Sequence, residues 1–348
     1  MIMNYENTAA FMTGIRKMEL LPAPSPVLSE GSIILKVEYV GVCDSDVHFF
    51  ESGERKGVPF DLPFVLGHEC AGTVVETAPG VENVKPGDRV CFEPQITCGK
   101  CRYCRSGHYN MCPNVVFPSV PPYNGMLQRY AAIPAQNAFK LPDNVSTKQG
   151  ALIEPLAVGL SATEMGAVGL GDRIVILGAG CIGLVTMLSA KARGAAKVLI
   201  ADLFDNRLEK ARSLGADVTV NTKEKNIQDA VNEFTDGEGA DIVFETAGNS
   251  VTAGWTPSLI RRCGTIVMVG NINKPTPIDF MDLMYKEGNI RTIYRYRNNF
   301  PTALAAVSSG KIDISGIASH EFPFEETQAA FDVNIDKKSE VTKVVISM

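Results

Sequence analysis

Four cysteines crowd the stretch CGKCRYCRSGHYNMC, residues 98–112: Cys98, Cys101 and Cys104 recur every third residue and Cys112 follows after seven more. Zinc accepts four thiolates in a tetrahedron, and a set of four leaves no vacancy for water or substrate, so the role expected of this loop is structural. The spacing of the first three, with Cys112-Pro113 at the end, also matches part of a ferredoxin-type iron–sulfur run, but the last interval is too long for one. Four reduced, unliganded thiols are the remaining alternative.

Chemistry needs an open site, and the donors for one are dispersed: Cys43 in GVCDSDVH, His68 and Glu69 in GHEC, and Glu154 in LIEPLAVG. One thiolate, one imidazole and one or two carboxylates can hold zinc and leave a position free for Lewis-acid work on a substrate oxygen. Taken singly, each has another use. Cys43 could be a small buried hydrophobe, His68 a hydrogen-bonded loop residue, and Glu69 and Glu154 surface acids.

A third constellation lies in IVILGAGCIGLV, where Gly178, Gly180 and Gly183 stand in G-x-G-x-x-G spacing with Ile182 inside the loop. Glycines there allow a tight turn and bring a pyrophosphate close to a helix N-terminus, whose free N–H groups favour an anion. Asp202, after the next apolar run, is placed to bind adenosine ribose hydroxyls and to repel a 2′-phosphate, which favours NAD over NADP. Arg207 suits either a contact to the adenosine end or a solvated helix face. A glycine turn that only packs helix on strand is the alternative for the loop.

These groups need elements to hold them. Residues 1–154 are rich in Pro and Gly with short β-leaning runs, IILKVEYV (33–40) and RVCFEP (89–94), and predict an irregular β-rich domain. From 171 the pattern alternates: strand 174–177, helix from 181, strand 197–201, helix 205–214, strand DVTV, helix 224–234, strand DIVF, helix near 252–262, strand TIVMV. That βα repetition predicts a parallel sheet with helices on both faces, an α/β class. After about 296 the rhythm breaks, with a helix expected at 301–309 and a closing β-branched run, VTKVVIS.

Composition bounds the function. With 348 residues the chain suits two domains, and its 45% hydrophobic and 21% charged content is that of a globular protein. No apolar window is long enough to span a bilayer, and the first residues lack a secretion signal, so a cytoplasmic location is expected and the nine cysteines should be thiols or metal ligands. A net charge of −6 with no basic tract argues against a nucleic-acid partner and leaves a small molecule as the expected ligand.

With GVCDSDVH, GHE, the four-cysteine loop, EPLAVG and the glycine loop in this order, the chain resembles the zinc-dependent medium-chain dehydrogenases, and most of all their sorbitol (L-iditol 2-) and xylitol dehydrogenase branch. Assignment to that branch rests on EPLAVG, where alcohol dehydrogenases of the superfamily carry a cysteine ligand, and on YRYRNNFP at 294–301. The resemblance implies a GroES-like catalytic domain from both chain ends, 1–154 and 297–348, around a Rossmann NAD-binding domain, 155–296. It implies one catalytic zinc, with Cys43 and His68 as ligands and with Glu69 and Glu154 sharing the direct-ligand and outer roles, and one structural zinc. It places substrate contacts on Phe49, Phe117, Glu154, Arg295 and Tyr296, catalytic roles on Glu154 and on a proton path through Ser45 and His48, and a homo-oligomer of two or four copies. Two departures stand out: Phe49 occupies a usual tyrosine position and Asp44 a common glycine position.

The activity implied is oxidation of a secondary polyol hydroxyl, with hydride passing to the nicotinamide and the proton leaving through Ser45, the cofactor ribose and His48. Harder oxygen donors beside one sulfur should also tolerate a fifth ligand, letting two vicinal hydroxyls chelate the metal. Butanediol, threonine or sugar-alcohol-phosphate dehydrogenases share the same motifs, and Arg295 with Arg297 could meet a phosphate. A protein of another class, an NAD-binding redox sensor using the cysteine loop, is the remaining reading.

Overall fold

A computed structural model of the chain describes residues 5–348. It divides into two units. Among the described residues, the first comprises those up to 154, 300–308 and 318–348, and the second 155–299 and 309–317.

The first unit is built on one long strand, Ser32–Val42, whose apolar residues Ile33, Leu35, Val37 and Val40 are buried in its core. Strand Glu69–Thr77 pairs antiparallel with it on one side, bringing Gly41 opposite Glu69, and strand Val344–Ser347 pairs antiparallel on the other, bringing Val42 opposite Val344. Arg89–Phe92 and Ala138–Lys140 extend the sheet beyond Glu69–Thr77, His320–Pro323 extends it beyond the C-terminal strand, and Tyr130–Pro134 pairs with the start of the long strand. Because the central strand ends at Val42 while its two antiparallel partners begin at Glu69 and Val344, three chain segments distant in sequence meet at one end of the sheet.

The second unit is a six-stranded parallel sheet in the spatial order Val218–Asn221, Lys197–Asp202, Arg173–Leu177, Ala240–Glu245, Ile260–Met268, Asn289–Thr292. This is the doubly wound order in which the direction of winding reverses beside the first strand, leaving a crevice at the strand ends. Val175, Leu177, Leu199 and Val243 fill its core, as near-continuous apolar strands covered on both faces must. No helix among the described residues is long and apolar enough to cross a membrane.

Three expectations are corrected. The second domain boundary lies at 299/300 rather than 297, because helix Phe300–Ser308 packs with the first unit, the Phe300 ring 5.2 Å from Phe139. Residues 309–317 then return to the second unit, where Ile312, Ile314 and Ile317 are buried. The helix expected to reach 262 stops at Leu259, and strand Ile260–Met268 begins at once, because the β-branched Ile260 takes an extended backbone and pairs with Ala240 in the parallel sheet.

Candidate metal centre

Cys43 follows the end of the central strand and is the N-cap of helix Asp44–Ser52, while His68 precedes the first residue of its partner strand. The pairing of Gly41 with Glu69 therefore brings the two loops together, and ligand atoms of Cys43, His68 and Glu69 lie within 4.8 Å of one another. Glu154, buried in the first turn of helix Ile153–Met165, is outside that group. Gly41 is required by this packing, since a Cβ there would stand 2.1 Å from Glu69 Oε2.

The surroundings are built for a cation. His68 Nδ1 lies 3.3 Å from Asp46 Oδ1, and Asp46 also accepts from the Ser119 hydroxyl and the Cys43 N–H. Burial alone would lower the basicity of His68, but the Asp46 carboxylate and the Cys43 sulfur outweigh it and hold its proton well above the ordinary range. Burial pushes the Cys43 thiol up, against the pull of His68. Glu69 Oε2 is buried with no hydrogen-bond partner, a costly arrangement unless a cation takes it up. An ion ligated by Cys43, His68 and Glu69 fits these groups, with the imidazole oriented by a carboxylate as metal-bound histidines commonly are.

Ser45 donates to Cys43 Sγ at 3.3 Å, and His48 is exposed three residues further along the same helix. Phe117 sets its ring against His68 at 5.2 Å. Phe49 is packed in the apolar core, edge-on to Phe60 at 5.7 Å. Asp44 is exposed.

The cysteine loop closes on itself. Sulfur separations are 3.4 Å for Cys101–Cys104, 3.6 Å for Cys98–Cys112 and 4.0 Å for Cys98–Cys104. These are far from disulfide bonding and near the roughly 3.8 Å edge of a zinc–thiolate tetrahedron. Backbone N–H groups of Lys100 and Cys101 lower the Cys98 thiol to about 6, so this sulfur is ready as a thiolate at neutral pH. The Tyr109 hydroxyl donates to buried Glu93 at 2.7 Å, tying the loop to the β-rich unit.

In the second unit the glycine loop joins strand Arg173–Leu177 to helix Cys181–Arg193. Gly178, at φ 107°, passes within 2.9 Å of Ala247 N counted from an added Cβ, and a Cβ on Gly183 would meet the Gly178 carbonyl at 1.9 Å. Gly180 differs: a Cβ there meets nothing nearer than Arg207 Nη1 at 3.7 Å, so the protein's own packing does not demand glycine. The room beside it fits the pyrophosphate of a dinucleotide. Ile182 lies in the first turn of the helix. Asp202 accepts from the Ala179 N–H at 2.7 Å with one oxygen and from Leu203 and Phe204 N–H with the other, fastening the loop to the next strand. Arg207 lies over the Phe204 ring. In this same unit Tyr296 is fully buried, and Arg295, at φ 58°, lays its guanidinium over Tyr294.

Sequence reasoning missed Asp46 and Lys343. Asp46 had a signal, an acid three residues after Cys43 at the start of a helix, which is where a capping partner stands. Lys343 had a fainter one, a lone charge in the apolar closing run.

Comparison with known proteins places these features in company. Residues 29–143 match the alcohol dehydrogenase GroES-like domain, and 181–309 match the zinc-binding dehydrogenase family. A zinc-type alcohol dehydrogenase-like protein of Escherichia coli (strain K12), itself uncharacterised, is 42% identical over 99% of both chains. Sorbitol dehydrogenase of Bacillus subtilis (strain 168) is 34% identical over 97% of this chain and 96% of its own. A crystal structure of an Escherichia coli oxidoreductase of unknown specificity superposes with a TM-score of 0.95 at 41% identity, covering 99% of each chain.

Proposed function

Because the chain belongs to the zinc-dependent medium-chain dehydrogenases, in their sorbitol dehydrogenase branch, we propose that it oxidises a secondary hydroxyl of a sorbitol-, iditol- or xylitol-type polyol to the ketose with NAD as hydride acceptor. One observation carries this reading: the close group of one half-buried sulfur, one buried imidazole and one buried carboxylate, three donors where a closed zinc site has four. Zinc held there would supply a Lewis acid for the substrate hydroxyl, and a second zinc in the cysteine loop would be structural.

The chain's own residues do the rest. Asp46 orients His68, and Glu69 is the third donor, which leaves Glu154 to orient substrate or water. Ser45, beside Cys43, takes the hydroxyl proton towards the exposed His48, whose chemistry suits exchange with solvent. Phe117 shields the imbedded imidazole face from water, and Arg295 and Tyr296 bind the remaining polyol hydroxyls. Gly178, Gly180, Ile182 and Gly183 cradle the pyrophosphate, with Asp202 on the adenosine ribose and Arg207 beside it.

We read the chain as a cytoplasmic homo-oligomer of two or four copies. The exposed strand Asn289–Thr292 at the edge of the parallel sheet, with exposed Phe280, Met281, Met284 and Tyr285 in the preceding helix, supports self-association.

Purified protein assayed against polyols, 2,3-butanediol, threonine and sugar-alcohol phosphates, with NAD and with NADP, tests the reading through the absorbance of reduced nicotinamide. Polyols with NAD should give the highest kcat/KM. A preference for a phosphate ester or a simple secondary alcohol would reject the substrate class, and no turnover of any alcohol would reject the enzyme reading.

A further inference from the structure

Lys343 stands as the one charge in a buried segment, after Thr342 and before the fully buried Val344, Val345 and Ile346, and is itself only 4% exposed. Burying an ammonium is costly unless it is paired and hydrogen-bonded. Its Nζ donates to Glu69 Oε1 at 2.6 Å and to the Val42 carbonyl at 2.9 Å. The first bond holds a residue adjacent to His68, the second the residue before Cys43. One ammonium thus fastens both ligand-bearing segments, from the residue just before strand Val344–Ser347, whose Val344 pairs with Val42 at this end of the sheet.

We propose that Lys343 is the positioning residue that restricts Glu69 to a single-oxygen donor at the metal centre and so keeps a coordination position open for substrate. The inference rests on the metal reading given above. Oε1 is taken by the ammonium, and Oε2 is the oxygen without a hydrogen-bond partner. Only Oε2 is therefore available, and three donors leave a tetrahedral ion one vacancy. Without the ammonium both oxygens are free to chelate, and the vacancy closes. The charge of Lys343 also offsets that of Glu69, so the carboxylate does not quench the Lewis acidity the reaction uses.

The test replaces Lys343 and reads the coordination of Co²⁺ exchanged into the catalytic site while zinc fills the cysteine loop. In Lys343→Met the metal is retained, the visible d–d absorption weakens as the coordination number rises, and kcat falls about 10–100-fold, the usual effect of losing a residue that supports a ligand. Lys343→Arg restores most of both. In a Glu69→Ala background, which has no carboxylate left to chelate, the Lys343→Met change should leave the spectrum of the bound cobalt unmoved. Lys343→Gln, which keeps a donor for the Val42 carbonyl and loses the charge, reads the same quantities if the Met variant does not fold. An unchanged spectrum, or loss of the metal from the variant, overturns the proposal. If instead the wild-type chain binds only the cysteine-loop ion, it is the metal reading that fails.

Discussion

Asp46 Oδ1 sits 3.3 Å from His68 Nδ1, with the carboxylate wholly buried and steadied by the Ser119 hydroxyl. With one imidazole nitrogen facing Asp46, the other would be the one to meet a metal, and the carboxylate would make it a better donor. Asp46→Asn keeps the shape and removes the charge. It should speed zinc release to a chelator and weaken metal affinity about 10–100-fold, with kcat falling alongside while KM for the cofactor holds. Equal zinc release rates in the two proteins would remove Asp46 from the site.

Gly41 faces Glu69 across the strand pair, where an added Cβ would stand 2.1 Å from Oε2 and 3.2 Å from the Cβ of Glu69. Lys343 grips the other oxygen, so the carboxylate has little freedom to retreat. Gly41→Ala should cost about 1–3 kcal/mol of stability, as overpacking does, and should lower zinc content and kcat more than that loss explains. Metal analysis beside a denaturant titration checks this; a stable variant with full zinc and normal turnover would show that Glu69 moves freely.

What the chain revealed in advance follows how local each signal is. The glycine loop, the apolar strands and the cysteine loop are each written in a few neighbouring residues, so periodicity and spacing expose them. The Cys43, His68 and Glu69 group is assembled by strand pairing between segments far apart, so residue type could nominate these donors together with Glu154, but nothing local could say which of them meet. Lys343 lies 274 positions from Glu69, and no local pattern connects them. The boundary near 300 was misplaced for a similar reason: the packing of Phe300 on Phe139, not composition, decides where the chain changes unit.

Glu93 is buried beneath the cysteine loop, accepting from Tyr109 and from Gln95. Burial raises its carboxyl above the ordinary value, and those two hydrogen bonds only partly oppose it. The folded state therefore holds this proton more tightly than the unfolded chain does. The resulting stability is fully present below the unfolded carboxyl value and is lost as pH rises through the folded one. Glu93→Gln carries no such proton. Its melting temperature should gain on that of the wild type as pH is raised from about 4 to about 8, and parallel melting curves across that range would exclude the buried-acid account.

Asp202 does two things at once, and separating them is the sharpest test of cofactor choice. Its oxygens already accept from Ala179, Leu203 and Phe204, so it shapes the glycine loop before any nucleotide arrives. Its charge is what should reject a 2′-phosphate. Asp202→Asn removes the charge and keeps an acceptor, whereas Asp202→Ala removes both. The Asn variant should lose discrimination mainly by gaining kcat/KM with NADP. The Ala variant should in addition lose kcat/KM with NAD, by about 10-fold, since the part-buried Ala179 and Phe204 N–H groups lose the acceptor that shapes the loop. If neither change moved the NAD to NADP ratio, selection would have to lie elsewhere along the adenosine site, with Arg207 and Lys223, both stacked near Phe204, the next residues to replace.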